Sequence, residues 1–206
     1  MSTNMSIELH INGVDEALDR HRAALDALGP KNAGKAIARA LNRAVSAARA
    51  EANRIARRAY TAPADKLFDN IFIRRARPGK LQSTLEISGR PGVSRIHFLA
   101  TPDRPLPPSQ RPREGISVQI RRDGPRQIAR SHRGGSKSFV IRKPQGGYGI
   151  FVRHGRELEM LYGPSPVQAL QRGEAQERIM ARAEAVFPPR LHHEIDHLLA
   201  SLGGGR

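Results

Sequence analysis

The sequence contains no cysteine and no tryptophan, and only 4% of its 206 residues are aromatic. Without thiols neither a disulfide framework nor thiolate chemistry is available, and a reducing compartment is compatible with the chain. With so few aromatics and a mean hydropathy of −0.52, a core has to be assembled from Ala, Ile, Leu and Val. That is thin for a free-standing monomer of 22.7 kDa, and it suits a protein that gains stability by packing on neighbours. No apolar run approaches the roughly 20 residues that cross a bilayer, so no membrane contact is expected. Met1-Ser2-Thr3-Asn4-Met5-Ser6 is neither a basic leader nor an apolar stretch, so the expectation is a soluble chain with no export signal of its own.

Several chemistries lack their residues as well. Gly146-Gly147-Tyr148-Gly149 has no Lys-Ser/Thr after it and does not open a helix, so it reads as a hairpin turn and not as a phosphate loop. Ser165 has the exposed turn position of a nucleophile but stands outside any Gly-x-Ser-x-Gly frame. Between residues 73 and 156 the carboxylates are Glu86, Asp103, Glu114 and Asp123, too few and too scattered for a two-metal nuclease centre. No catalytic residue, cofactor or metal is assigned on these grounds, and the chain is expected not to be an enzyme.

What the chain has in excess is positive charge, +16 overall. Residues 1–72 carry 11 basic and 8 acidic side chains, residues 73–156 carry 19 and 4, and residues 157–206 carry 5 and 7. The excess therefore sits in the middle. A concentrated basic surface attracts polyanions, and DNA, RNA and acidic protein surfaces are all candidates, against the plainer reading of solvated arginine-rich strands.

Hydropathy periodicity predicts an α+β chain: a long N-terminal Ala-rich helix packed on an antiparallel β-sheet with extended loops, followed by C-terminal helices. Ile7–Ile11 alternates as a short strand ended by Asn12-Gly13, and a helix is expected over Val14–Leu28, broken by Gly29-Pro30. The next helix, Lys31–Tyr60, shows Ala33, Ile37, Leu41, Ala44, Ala48, Ala52, Ile55 and Ala59 as its apolar stripe. Its other face bears Lys35, Arg39 and Arg43 at four-residue spacing, then Arg54, Arg57 and Arg58, a stripe able to track phosphates or to face solvent or a subunit. A short helix ends near Asn70. Strands are expected at 71–76, 82–88, 95–99, 117–121, 139–142 and 149–153, joined by Gly/Pro turns as a meander. The proline-rich stretch 101–114 and Ser131–Ser136 read as mobile loops. Two helices split at Pro188-Pro189 complete the chain. The expected domains are an α+β core over 1–160 and a helical extension over 161–206.

His193-Glu194-Ile195-Asp196-His197 matches H-E-x-x-H, which sets two imidazoles one helical turn apart for zinc with Glu as general base. A catalytic zinc needs a third protein ligand, usually downstream, and the nine residues after His197 hold no His, Asp, Glu or Cys. A zinc hydrolase is therefore the remotest reading, and an amphipathic helix with Leu191, Ile195, Leu198, Leu199 and Leu202 on its apolar side is the plain one. Arg104-Pro105-Leu106-Pro107-Pro108 resembles a polyproline ligand core, but Gln110 stands where a further anchor proline belongs, so a stiff loop is expected.

The most informative segment is Leu161-Tyr162-Gly163-Pro164-Ser165-Pro166-Val167-Gln168. Gly163-Pro164 makes a turn, Ser165 and Gln168 have capping-box spacing, and Pro166 falls at the first helical position, where its missing N–H costs nothing. This segment resembles the Leu-Tyr-Gly-Pro-Ser element of the minor tail protein Z family of long-tailed bacteriophages and prophages. Gly29–Ala44 is similar to the helix that family carries near its start, so the resemblance spans most of residues 25–170. One departure is Ser165-Pro166-Val167-Gln168 where members often read Ser-Val-Pro-Gln; the capping spacing survives.

The resemblance implies a structural role in tail completion and head–tail joining, at the head-proximal end of the tail in the virion, after assembly in the host cytoplasm. Implied partners are the tail terminator, the end of the tape-measure assembly and the connector, with a ring-like homo-oligomer matching the tail tube. DNA contact through the basic middle is a further possibility, and a stand-alone nucleic-acid-binding protein is the alternative from another class. Candidate interaction residues are Tyr162, Gly163, Pro164, Ser165 and Gln168, Lys35, Arg39 and Arg43, and Arg121, Arg122, Arg126, Arg130 and Arg133.

Overall fold

The computed structural model describes residues 5–7, 14–69, 71–87, 92–171 and 174–203. It is a mixed α+β chain whose contacts divide it into two compact units interleaved along the sequence. The helical unit comprises Asn4–Ala52, Ile71–Ser88 and Leu170–Arg206, and the strand-rich unit comprises Asn53–Asn70 and Gly89–Ala169. The chain thus passes from one unit to the other several times, once inside the long helix.

In the helical unit, Val14–Arg20 forms α1 and Arg22–Ala59 forms α2, whose residues beyond Ala52 belong to the other unit. Gly29 interrupts α2 at φ 73° and ψ 161°, a left-handed excursion that suits glycine, and Pro30 restarts the helix with its φ already set. This is the break expected at Gly29-Pro30; a further turn at His21 separates α1 from α2. Ala36, Ala40, Ala44, Ala48 and Ala52 form a fully buried row at four-residue spacing. Ala38, Leu41 and Val45 are buried beside them, whereas Ala33 and Ile37 are only half-buried. The buried surface is thus wider than the expected stripe and rotated from it, because alanines occupy several sides of the helix.

Small side chains let a hairpin come close. Strands β1 (Met5–Ile7), β2 (Ile71–Arg74) and β3 (Thr84–Ile87) form an antiparallel sheet in the order β1-β3-β2. The remainder of the expected strand 7–11 lies outside the described residues. A Cβ added at Gly34 would stand 3.1 Å from the Pro78 carbonyl oxygen, so the β2–β3 turn rests on the α2 backbone. Eight residues on, the Asn42 amide donates to the Ala76 carbonyl at 3.0 Å and accepts the Ala76 N–H at 2.8 Å. Its oxygen also accepts the Ser83 hydroxyl at 3.0 Å, so one side chain ties both ends of the hairpin to the helix.

Helix α4 covers Pro166–Leu170, all but Leu170 in the strand-rich unit, and α5 covers Ala175–Gly203 in the helical unit. The expected split at Pro188-Pro189 does not occur. Each proline lacks an N–H, but its φ is helical, and the buried row Ile179, Ala183, Phe187, Leu191, Ile195 runs unbroken past both. The interruption lies before Ala175 instead. Helix α1 packs on α5, where the His21 and His192 rings stack at 5.2 Å. Ion pairs Arg39–Glu194 at 3.2 Å and Arg178–Glu51 at 2.7 Å show that α5 runs antiparallel to α2.

The strand-rich unit holds α3 (Ala64–Phe68) and two further antiparallel sheets. Strand β4 (Ser117–Val118) pairs with β5 (Gln127–Ile128), while β6 (Phe139–Arg142), β7 (Tyr148–His154) and β8 (Glu157–Met160) form a meander. Its core joins Tyr60, Leu67, Phe98, Ile116, Val118, Val140, Ile150, Val152 and Leu161. Phe98 is fully buried and meets Tyr60 edge-on at 6.2 Å. Residues 95–99, expected as a strand, instead start with a 3-10 turn over Arg95–His97. Two long-range contacts hold this turn in place. Ser94 bridges Tyr162, and the Arg95 N–H bonds the Leu161 carbonyl at 3.1 Å before the chain curls back to bury Phe98. Strands β5 and β8 stand where the periodicity predicts none, β2 and β4 stop short of the strands expected at 71–76 and 117–121, and β3 starts at Thr84 instead of 82, residue 88 lying outside the described residues.

Candidate functional site

Leu161–Gln168 is the tie point of the strand-rich unit. The Leu161 N–H bonds the Ile150 carbonyl at 2.8 Å, the Gly163 N–H bonds the Val93 carbonyl at 2.7 Å, and the Arg95 guanidinium donates to the Tyr162 carbonyl at 3.0 Å. A Cβ at Gly163 would stand 2.6 Å from Cε2 of Phe98, and one at Gly92 would stand 2.2 Å from the Gly163 carbonyl oxygen. Two glycines therefore meet here because nothing larger fits. Ser165 is only 4% exposed, which corrects its expected position at an exposed turn: its backbone carbonyl receives the Gln168 N–H, and Pro166 and Val167 are buried after it. Tyr162 and Gln168 are the exposed candidate residues of this segment, Tyr162 at 44%, with Gly163 and Pro164 half-buried between them.

The basic middle is divided between the two units. Arg74, Arg75, Arg77 and Lys80 belong to the helical unit, and the cations from Arg95 onward belong to the strand-rich unit. Among the latter, three candidates serve the fold. Arg126 donates to the Leu99 carbonyl and the Thr101 hydroxyl, both at 2.7 Å, and to Ser117 Oγ at 3.1 Å, which clamps the start of the proline-rich stretch to β4. Arg122 donates to the Arg57 carbonyl at 2.7 Å, satisfying an end carbonyl of α2. Arg121 chelates Asp123 through Nε and a terminal nitrogen, holding that carboxyl below its usual range. Arg130 and Arg133 are exposed.

Loop 131–136 is anchored where a mobile loop was expected. The Ser131 hydroxyl donates to Glu159 at 2.6 Å, and the same carboxylate oxygen lies 2.7 Å from His154 Nε2. The hydrogen bond from Ser131 first, and His154 next, lower the Glu159 pKa. This is not a nucleophilic triad, because the carboxylate, and not the imidazole, receives the hydroxyl proton. Ser136 completes the anchor, its N–H donating to the Arg153 carbonyl and its hydroxyl accepting the Arg153 N–H. Against this loop, Arg111 lies over the Phe139 ring at 4.8 Å and joins Arg113, Lys137 and Arg153 along a groove of about 940 Å³. Arg54, Arg57, Arg58 and Arg122 line a smaller hollow of about 410 Å³. Burial, and then Lys66 and Lys143, push His97 below the ordinary imidazole range.

In the helical unit the stripe Lys35, Arg39, Arg43 does not stand alone. Arg39 and Arg43 form one wall of a cleft of about 670 Å³, completed by Arg75 after β2 and by Arg190, His193 and His197 on α5. Glu194, in the middle of H-E-x-x-H, lies in its floor with 5% of its side chain exposed, bonded to Arg190 at 2.5 Å and Arg39 at 3.2 Å. The carboxylate that would act as base beside a zinc is thus committed to two guanidiniums, and among the described residues no group of three or more metal-ligating side chains converges. Sequence reasoning found Arg39 and Arg43 but missed Arg75 and Arg190; the i, i+4 spacing of Arg190 and Glu194 was the available signal. Lys35 contacts Asn32 at 3.4 Å and does not line the cleft. Comparison of the chain with protein-family models, with curated proteins and with solved structures found no match.

Proposed function

We propose that this chain is a structural subunit of the tail-completion, or head–tail joining, apparatus of a bacteriophage or prophage, acting at the head-proximal end of the tail through subunit contacts and without turnover. The observation that carries this reading is the packing of Leu161–Ser165. Gly163 admits no side chain beside Phe98, and its carbonyl admits none on Gly92, so the glycine at the centre of the segment that resembles the minor tail protein Z family is one that the packing requires. Resemblance in such residues speaks for shared architecture more strongly than resemblance in exposed ones. Tyr162, held by this anchor and exposed, is the side chain best placed for a neighbouring subunit. The partners are the tail terminator, the tape-measure end and the connector, in a ring that matches the tail tube. Mass spectrometry of purified particles tests the reading: the chain is expected at a fixed number of copies per tail, and its absence from tailed particles would overturn it.

The second reading, a stand-alone nucleic-acid-binding protein, is favoured by the hollow of Arg54, Arg57, Arg58 and Arg122. Duplex affinity that falls steeply with salt, with no association with tail components, would select it; weak binding without a salt slope would remove it.

A further inference from the structure

We infer that the cleft of the helical unit between α2 and α5 is a phosphate-binding site, selective for two or more linked phosphate groups as in a diphosphate or a nucleic-acid backbone. The inference stands independently of the tail reading. Four guanidiniums, Arg39, Arg43, Arg75 and Arg190, line the cleft against the single carboxylate of Glu194. That carboxylate is almost fully buried and bonds two of the four, so it acts as an internal orienting group: Arg39 and Arg190 are held at 3.2 and 2.5 Å from it, while both side chains stay about half exposed toward the cleft. Arg43 and Arg75 are exposed and have no ion pair or hydrogen bond among the described residues.

The arrangement therefore keeps an excess of like charge in a concave surface, where field lines concentrate and repulsion between the guanidiniums is relieved only by an anion. Planar guanidinium forks match the tetrahedral oxygens of phosphate, and two preorganised forks lose less entropy on binding than free ones. His193 and His197, one turn apart on α5, line the cleft beside Arg190, so the H-E-x-x-H spacing places two imidazoles toward an anion instead of a metal. Neighbouring acids do not compensate: Glu86 is taken by Arg74 and Asp196 by His192, and neither lines the cleft. At about 670 Å³ the cleft is larger than one phosphate group fills, which favours linked phosphates.

The test is titration calorimetry of the full chain with inorganic diphosphate at low salt. Saturable binding at one site is expected, weakened at least tenfold in Arg43→Ala/Arg75→Ala and unchanged in Arg142→Ala/Arg156→Ala, which removes the same charge from exposed positions of the strand-rich unit. Both variants alter exposed side chains, and equal far-UV circular dichroism checks their folding. Equal weakening in the two variants, or no saturable binding in the parent, would overturn the inference, as would tighter binding of a tetraglutamate peptide than of diphosphate. Competition by a short DNA duplex would identify the phosphates as nucleic-acid backbone. Its absence, with diphosphate binding intact, would identify a free phosphorylated ligand.

Discussion

Replacing Gly163 by alanine places one methyl group against Phe98, a fully buried aromatic of the strand-rich unit. The new Cβ would lie 2.6, 3.1 and 3.2 Å from Cε2, Cζ and Cδ2 of Phe98, well inside van der Waals contact. The ring cannot swing aside, because Phe98 is fully buried and is met edge-on by Tyr60. Gly163 has no positive φ, so alanine brings no backbone strain, and the effect is one of packing alone. Forcing an extra methyl into a filled core costs about 1–3 kcal/mol, and the lower entropy of the unfolded alanine chain returns about 0.4–1 kcal/mol. The net loss is about 1–2 kcal/mol, or a fall in Tm of about 2–8 °C for a chain of this size. Thermal denaturation followed by circular dichroism measures it. In a Phe98→Leu background, where the offending ring atoms are gone, the same change is expected to cost less than about 0.5 kcal/mol, since contacting sites are non-additive. A neutral or stabilising Gly163→Ala, or an equal cost in both backgrounds, would refute the claim that Phe98 dictates this glycine.

Other consequences follow from the same contacts. Gly92→Ala is expected to be worse than Gly163→Ala, because its Cβ would stand 2.2 Å from a backbone oxygen that no rotamer change can move; denaturation midpoints of the two variants decide it. Asn42→Ala removes three hydrogen bonds and strands the Ser83 hydroxyl, while the Ala76 N–H keeps Ser83 Oγ as acceptor at 3.1 Å, so a cost of about 1–3 kcal/mol is expected by urea denaturation. Glu159 has a folded pKa below its ordinary value, so its contribution to stability is present at neutral pH and lost as pH falls through the folded pKa. The protection factor of the Arg133 amide, which is bonded to Ser131, taken relative to the intrinsic exchange rate at each pH, is therefore expected to fall in acid, and Ser131→Ala should move the Glu159 titration upward in carbon-detected NMR.

Local chemistry made the long helix legible, since Gly29-Pro30 and the alanine spacing announce it, but not its buried side. Alanine at 33, 36, 38, 40 and 44 leaves the apolar stripe without a unique phase, and what decides is the hairpin that Asn42 draws in from residues 76 and 83. Arg95–Leu99 alternates like a strand, yet its N–H groups are claimed by Leu161 and by its own turn. Pro188-Pro189 looked like a stop, and the apolar row on both sides of it kept the helix going. The same division holds for the candidate site. Arg39 and Arg43 were readable from their spacing, whereas Arg75 and Arg190 reach the cleft only through tertiary packing. Arg122 and Arg126 looked like surface cations but spend their donors on backbone carbonyls.

Electron microscopy of particles made without this chain is the sharpest test of the proposed role in tail completion. Filled heads and unjoined or aberrant tails are expected to accumulate, and supplying the intact chain is expected to restore joined particles. Heads and tails that join normally in its absence would overturn the proposal.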